Sequence, residues 1–214
     1  MSPDILQMLL SGLWVTIQLS VLSILFSLVV GVAVAMLRAS PLGPVSAFAQ
    51  GYVEFFRNIP LLIILFFVLN GLPQAGITLS YFWTAVAGLS VYTAAYVAEV
   101  VRAGLESLAK GQTEAARSLG LSWLQMMRLV LLPQALRLTI PPLGNLFVAL
   151  IKNTALASAV AVPELLHQAE VIEGRTFNPQ IFLIAGLMYL LLTVPLSGLV
   201  NLVEERLSLA RITR

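Results

Sequence analysis

The side chains able to do chemistry are few, and their spacing limits what they could do. One histidine, His167, accompanies ten carboxylates, and there is no cysteine. Disulfides, thiolate metal sites and cysteine nucleophiles are therefore excluded, and a metal cluster is not expected. No nucleophile sits beside a base within the apolar segments, the carboxylates cluster at the ends of those segments, and no glycine-rich phosphate loop is present. The chain is accordingly read as something other than an enzyme.

What remains are polar groups in unusual places. Lys152, Asn153 and Thr154 interrupt a long apolar segment, where an ionisable group is costly and faces a bundle interior or a watery path. Burial explains Lys152 equally well as a partner of a carboxylate or of helix-end carbonyls, so its role is left open. Asn153 and Thr154 are neutral hydrogen-bonding groups suited to line a path. Glu164 follows Pro163 at the end of the same segment. It reads either as a carboxylate that holds the positive group of a ligand or as a solvated loop residue, and in the first case a zwitterionic or cationic ligand is favoured over an acidic one. His167 is read as an interfacial polar residue. Glu99 and Arg102, one helical turn apart, form a structural pair, and Glu54 with Arg57 is read the same way.

The elements that must position these groups follow from composition. Apolar residues make up 59% of the chain and charged residues 10%, against about 45–50% and 25% in soluble domains. Such an excess of apolar surface must face lipid. An all-α membrane protein is expected: one transmembrane domain over 1–214, with spans near 13–37, 54–72, 81–104, 138–162 and 181–202. The start lacks the features of a cleaved signal peptide, so the first span is expected to remain. Arg38, Arg57, Arg102, Lys110, Arg117, Arg128, Arg137, Arg206, Arg211 and Arg214 fall on one side of a five-span bundle, and Asp4, Glu164, Glu170 and Glu173, with only Arg175, on the other. Lysine and arginine mark the cytoplasmic side, which places the N-terminus outside and the C-terminus inside. Trp14, Trp83 and Trp123 are expected near interfaces. Gly31, Ala35, Gly88, Ala95 and Gly104 allow helices to pack closely.

The polar stretch 107–133 is predicted to form two short helices. Gln112 or Thr113 would cap the first, Glu114 would sit in its first turn, and Gly120 would end it in a left-handed turn. Ser122 would cap the second, and Pro133 would interrupt or bend it. Two amphipathic helices joined at a glycine make a knuckle shaped to dock on a partner.

Within this stretch, Glu114-Ala115-Ala116, Gly120, Val130 and Leu132-Pro133 resemble the signature loop of bacterial ABC importer permeases. Further stretches resemble the polar amino acid subfamily: Phe56 to Leu62, where Asn58 stands in place of a more usual glycine, Tyr92 to Gly104, and Leu150 to Leu156. The resemblance implies the type I importer fold with five spans and a cytoplasmic two-helix coupling loop, in a bacterial inner membrane. It implies a division of labour in which this chain forms half of a translocation path for a polar amino acid. A second permease, identical or paralogous, forms the other half. A dimer of ABC ATPase subunits consumes the ATP, and an extracytoplasmic binding protein delivers substrate. By the same resemblance Glu114, Ala115, Ala116 and Gly120 couple to the ATPase, Glu114 pairs with a basic residue there, and Glu164 lies near the substrate pocket. No cofactor on this chain and no nucleic-acid partner are expected. The alternative is a passive channel or membrane scaffold subunit, but neither accounts for the knuckle between the third and fourth spans.

Overall fold

The computed structural model describes residues 3–212, with side chains described as far as residue 205. Arg214, and the side chains of Arg206 and Arg211, lie outside the described residues. The first helix, α1 (Pro3–Arg38), extends about 54 Å at 1.5 Å per residue, well beyond the hydrocarbon thickness. It begins ten residues before the expected start of the first span. One stripe of α1 is small or hydroxylated: Gly12, Thr16, Ser20, Ser23, Ser27, Gly31 and Ala35 are all buried at helical spacing. Small side chains let backbones approach, which is how helices associate where lipid removes the hydrophobic drive. α1 packs along α4 (Tyr81–Glu106) more extensively than along any other described helix. The contact is tight enough that a Cβ on Gly31 would stand 2.5 Å from Val97 Cβ. Ala35, Gly88, Ala95 and Gly104 are buried as well.

The second span differs from expectation. Two helices, α2 (Gly43–Asn58) and α3 (Leu61–Asn70), meet at a bend of 105°. Pro60 causes it: the ring removes a backbone N–H and forces Ile59 out of the helical region, to φ −101° and ψ 135°. At ten residues α3 is about 15 Å long and cannot cross alone. The expected span 54–72 thus covers only the end of α2, the bend and α3.

α5 (Lys110–Ser118) and α6 (Trp123–Met126) form the hairpin foreseen within 107–133. A π-helical turn, Met127–Leu131, then leads without interruption into α7 (Leu132–Asn153). Pro133 therefore does not break the helix. Its missing N–H falls at the second position of α7, directly after the widened turn, where a regular i→i−4 bond is forfeited without loss. A 3-10 stretch, Thr154–Val160, and a left-handed residue at Ala161 turn the chain into α8 (Leu165–Thr176). The last helix, α9 (Gln180–Ile212), packs on α7 and α8. Among the described residues four helical stretches are long and apolar enough to cross a membrane, and the bent α2–α3 pair, taken as one span, makes a fifth.

Leu19, Leu65, Leu89 and Val160 form the core where α1, α3 and α4 meet the 3-10 stretch. Leu9, Leu165, Ile172 and Ile181 form it where α8 lies against α1 and α9. Outward, Val29, Leu183 and Leu191 are at least 68% exposed, as lipid-facing positions are. α1 and α4 run in the same direction, so the ends of both helices and the α5–α6 hairpin share one end of the bundle, here the basic end.

Candidate functional site

The hairpin at the basic end is built by its turns. α4 closes through Ser107 and Leu108, whose N–H groups reach back to Ala103 and Leu105, and Ala109 (φ −61°, ψ 134°) starts α5 at once. No side chain caps α5, so neither Gln112 nor Thr113 has the expected role, and Glu114 falls in the second turn of the helix rather than the first. The far end matches the reading from sequence. Gly120 adopts φ 74°, and the N–H groups of Leu121 and Gly120 return to Ala116 O and Arg117 O, which is a Schellman closure. A Cβ on Gly120 would meet no atom within 4 Å, so backbone conformation and not space requires glycine there. Ser122 then caps α6 reciprocally: Gln125 N–H donates to Ser122 Oγ, and Ser122 N–H donates to Gln125 Oε1 at 2.9 Å.

Two further bonds hold the hairpin to the bundle. Trp123 Nε1 donates to Ala39 O at 3.2 Å, and Gln134 Nε2 to Gln112 Oε1 at 3.3 Å. Ala116 is buried against Met126, Met127 and Leu131, while Glu114 and Ala115 are exposed. The two alanines thus differ: Ala116 anchors the hairpin, and Ala115 lies on its surface. Leu119 and Leu124 were not singled out from sequence, yet they are 79% and 57% exposed on this projecting, otherwise polar element. Their position beside a glycine turn and a serine cap was the signal available.

Above the hairpin, Glu99 gathers arginines from three helices. Arg38 of α1 and Arg102 of α4 both lie 2.5 Å from it, and Arg57 of α2 lies at 3.5 Å with its guanidinium 5.4 Å from the Tyr96 ring centre. Arg102 also pairs with Glu106. The expected Glu99–Arg102 pair is present. The expected Glu54–Arg57 pair is not: Glu54 accepts from Gln50 at 2.6 Å, and the Arg57 side chain reaches across to Glu99 and the Tyr96 ring on α4 instead.

The polar groups of the apolar segments separate. Lys152 is exposed, has no ion pair among the described residues, and lines a cleft of about 440 Å³ between α7 and α9 with Thr193, Ser197 and Asn201. Asn153 is half-buried. Thr154 is fully buried and its hydroxyl donates to Ile151 O at 2.6 Å. Glu164 is fully buried, which rules out the solvated-loop reading. It caps α8 by accepting from Leu166 N at 3.0 Å and His167 N at 2.7 Å, and it also accepts from Tyr189 Oη at 2.6 Å and Thr16 Oγ1 at 3.4 Å. That carboxylate ties α1, α8 and α9 together. His167 is partly buried, with Nδ1 4.0 Å from Glu170 Oε2. Trp14 and Trp83 face outward.

The family described as "Binding-protein-dependent transport system inner membrane component" matches residues 24–209. The chain is 43% identical over 205 residues to the probable glutamine ABC transporter permease protein GlnM of Bacillus subtilis (strain 168), covering 95% of each protein. It is 39% identical over 210 residues to the probable glutamine ABC transporter permease protein GlnP of the same organism, covering 96% of each. Among solved structures it is similar, with a TM-score of 0.84 and 34% identity, to a chain described as "Crystal structure of an amino acid ABC transporter with histidines", covering 96% of this chain and 100% of that one.

Proposed function

Since the chain belongs to the family of binding-protein-dependent transport system inner membrane components, we propose that it carries a polar amino acid inward as one half of an ATP-driven translocation path. It is a multi-pass inner-membrane permease subunit of the amino-acid ABC importer type and not an enzyme. In this reading the N-terminus is outside and the C-terminus cytoplasmic, so the basic end meets the cytoplasm. A pair of ATPase subunits receives the α5–α6 hairpins of this chain and of a second permease, identical or paralogous, and ATP is used there. An extracytoplasmic binding protein delivers the amino acid at the opposite face.

The observation that carries this reading is the hairpin. A helical pair fixed by a Schellman turn and a capping box, yet presenting Glu114, Ala115, Leu119 and Leu124 to solvent, has the form of a rigid docking knuckle. Supporting it, Lys152 with Ser197 and Asn201 puts polar side chains on one face of two apolar spans, as a watery path requires. Asn153 is proposed to line that path, while Thr154 and Glu164 shape it from behind by fixing the turn from α7 into α8. The test is amino-acid-stimulated ATP hydrolysis by the permease reconstituted with its ATPase and binding protein. Stimulation by one class of polar amino acid that vanishes in Glu114→Lys is the expected result. Wild-type chain that associates with no ATPase and still conducts amino acids would establish a passive channel instead.

A further inference from the structure

A second cleft, of about 560 Å³, opens at the basic end between the hairpin and the ends of α1, α2 and α4. Its charged lining is Arg38, Arg102, Arg117 and Glu106, three positive groups against one negative. Glu99, which does not line the cleft, neutralises one more charge by binding Arg38 and Arg102. Arg57 shares Glu99 as well, so four arginines face two carboxylates and the surroundings are left with an excess of two positive charges. Of the arginines lining the cleft, Arg117 has a guanidinium with no hydrogen bond or ion pair among the described residues, while Arg38 and Arg102 are held in place by carboxylates. The other wall is apolar, made by Leu105, Met126, Met127, Leu131 and the ring of Trp123, whose Nε1 is engaged by Ala39 O. In sequence, Leu37 and Leu42 flank the lining residues Arg38 and Pro41 and are 44% and 62% exposed.

We infer that this cleft binds the phosphodiester headgroup of an anionic phospholipid from the leaflet at the basic end. A phosphodiester anion answers the positive excess, a guanidinium supplies forked donors to two phosphate oxygens, and Leu105 and the Trp123 ring receive the glycerol and first methylenes. A small free anion would use the arginines but leave the partly exposed Leu105 and Trp123 ring uncovered, which is why the lipid is the assigned occupant. The inference needs only that the chain lies in a membrane, so it stands apart from the transport reading.

The test uses the full chain with its ATPase partner in nanodiscs, with Trp14→Phe and Trp83→Phe so that Trp123 is the permease reporter. A Trp123→Phe sample provides the signal of the partner's tryptophans for subtraction. Phosphatidylglycerol with brominated acyl chains should quench Trp123 at a mole fraction about fivefold lower than brominated phosphatidylcholine, the factor expected of one basic side chain near a lipid surface. The preference should disappear in Arg117→Gln. It should also disappear in Ser46→Asp, which keeps every arginine and adds a carboxylate to the lining. Added inorganic phosphate should leave the quenching unchanged. Equal quenching by both lipids, a preference that survives both substitutions, or a preference absent once the ATPase is bound would overturn the inference. Full protection by inorganic phosphate would assign the cleft to a soluble anion and overturn it as well.

Discussion

Replacing Tyr189 with phenylalanine removes one of the four donors on the buried Glu164 carboxylate and changes nothing else in the shape of the site. The bond is 2.6 Å long and the acceptor is fully buried, so it belongs among hydrogen bonds to charged groups, worth about 1.5–3 kcal/mol. Glu164→Gln acts differently. If the amide oxygen takes the place of Oε2, it keeps Leu166, Tyr189 and Thr16 but aims an NH₂ group at His167 N–H; turned the other way, it keeps His167 alone. At best one buried donor loses its acceptor, a loss of about 1–3 kcal/mol. Glu164→Ala strands both backbone N–H groups at the start of α8 and is expected to be the most damaging of the three. Because Tyr189 and Glu164 share one bond, the double variant Glu164→Gln/Tyr189→Phe should lose less than the two losses added, with a coupling of about 0.5–3 kcal/mol. Thermal unfolding of the purified complex reads this out, at roughly 2–4 °C per kcal/mol for a chain of this size. An unchanged Tm in Tyr189→Phe, or strict additivity in the double variant, would refute the claim that this carboxylate holds α1, α8 and α9 together.

Gly31→Ala should lower stability by about 1–3 kcal/mol through overpacking; Val97→Ala should not rescue it, because the clash is with Val97 Cβ itself at 2.5 Å and with Ala94 O at 2.8 Å. Gly144→Ala, whose nearest neighbours are the Val200 methyls at 2.4 and 2.9 Å, should by contrast be rescued by Val200→Ala in the same melting assay. Gly120→Ala places a side chain in a left-handed conformation at about 1–2 kcal/mol, and should reduce substrate-stimulated ATP hydrolysis more than it reduces Tm, since the strain is confined to the hairpin. Glu99→Ala should lower Tm by the equivalent of about 1–3 kcal/mol, because three arginines lose their shared acceptor, whereas Glu54→Ala, which frees only Gln50, should stay within about 0.5 kcal/mol.

The features legible in sequence were those that local physics decides. Gly120 and Ser122 announced a left-handed stop and a capped start, and both stand where they were expected. The count of apolar segments was equally plain, since crossing hydrocarbon demands length and little else. What escaped depends on tertiary direction. Pro60 was visible, but a proline inside an apolar run does not say whether the chain bends slightly or turns by 105°. Arg57 lies on α2 with Glu54, yet it pairs with Glu99, distant in sequence, because α2 packs against α4, and local spacing does not show that packing. Glu164 was read as a group facing either a ligand or water, and neither periodicity nor composition could announce that Thr16 and Tyr189 would converge on it from two other helices.

The hairpin's attachments decide what a load applied to it would move. Through Trp123 it is tied to the end of α1, and through Gln134 and Gln112 to the start of α7. From Trp123 the helical path runs unbroken through the π turn and α7 to Val160, about 57 Å at helical rise, passing Lys152 near its far end. α1 is in turn locked along α4 by a stripe too tight to slide past Val97. α7 is packed on α4 as closely, a Cβ on Gly104 standing 2.4 Å from Thr139 and 3.1 Å from Ala135 O, so a displacement of the hairpin is delivered to α1, α4 and α7 together. The π turn, with its extra residue and poorer bonds, lies between the hairpin and α7, and with Pro141 and Pro142 inside α7, each lacking a backbone N–H, it gives that second route its compliance. The cleft that holds Lys152 is bounded by α7 and α9, so it lies on the helix reached by that second route. A shift of α7 relative to α9 changes the space of this cleft, and it does so without any chemistry at the polar residues themselves.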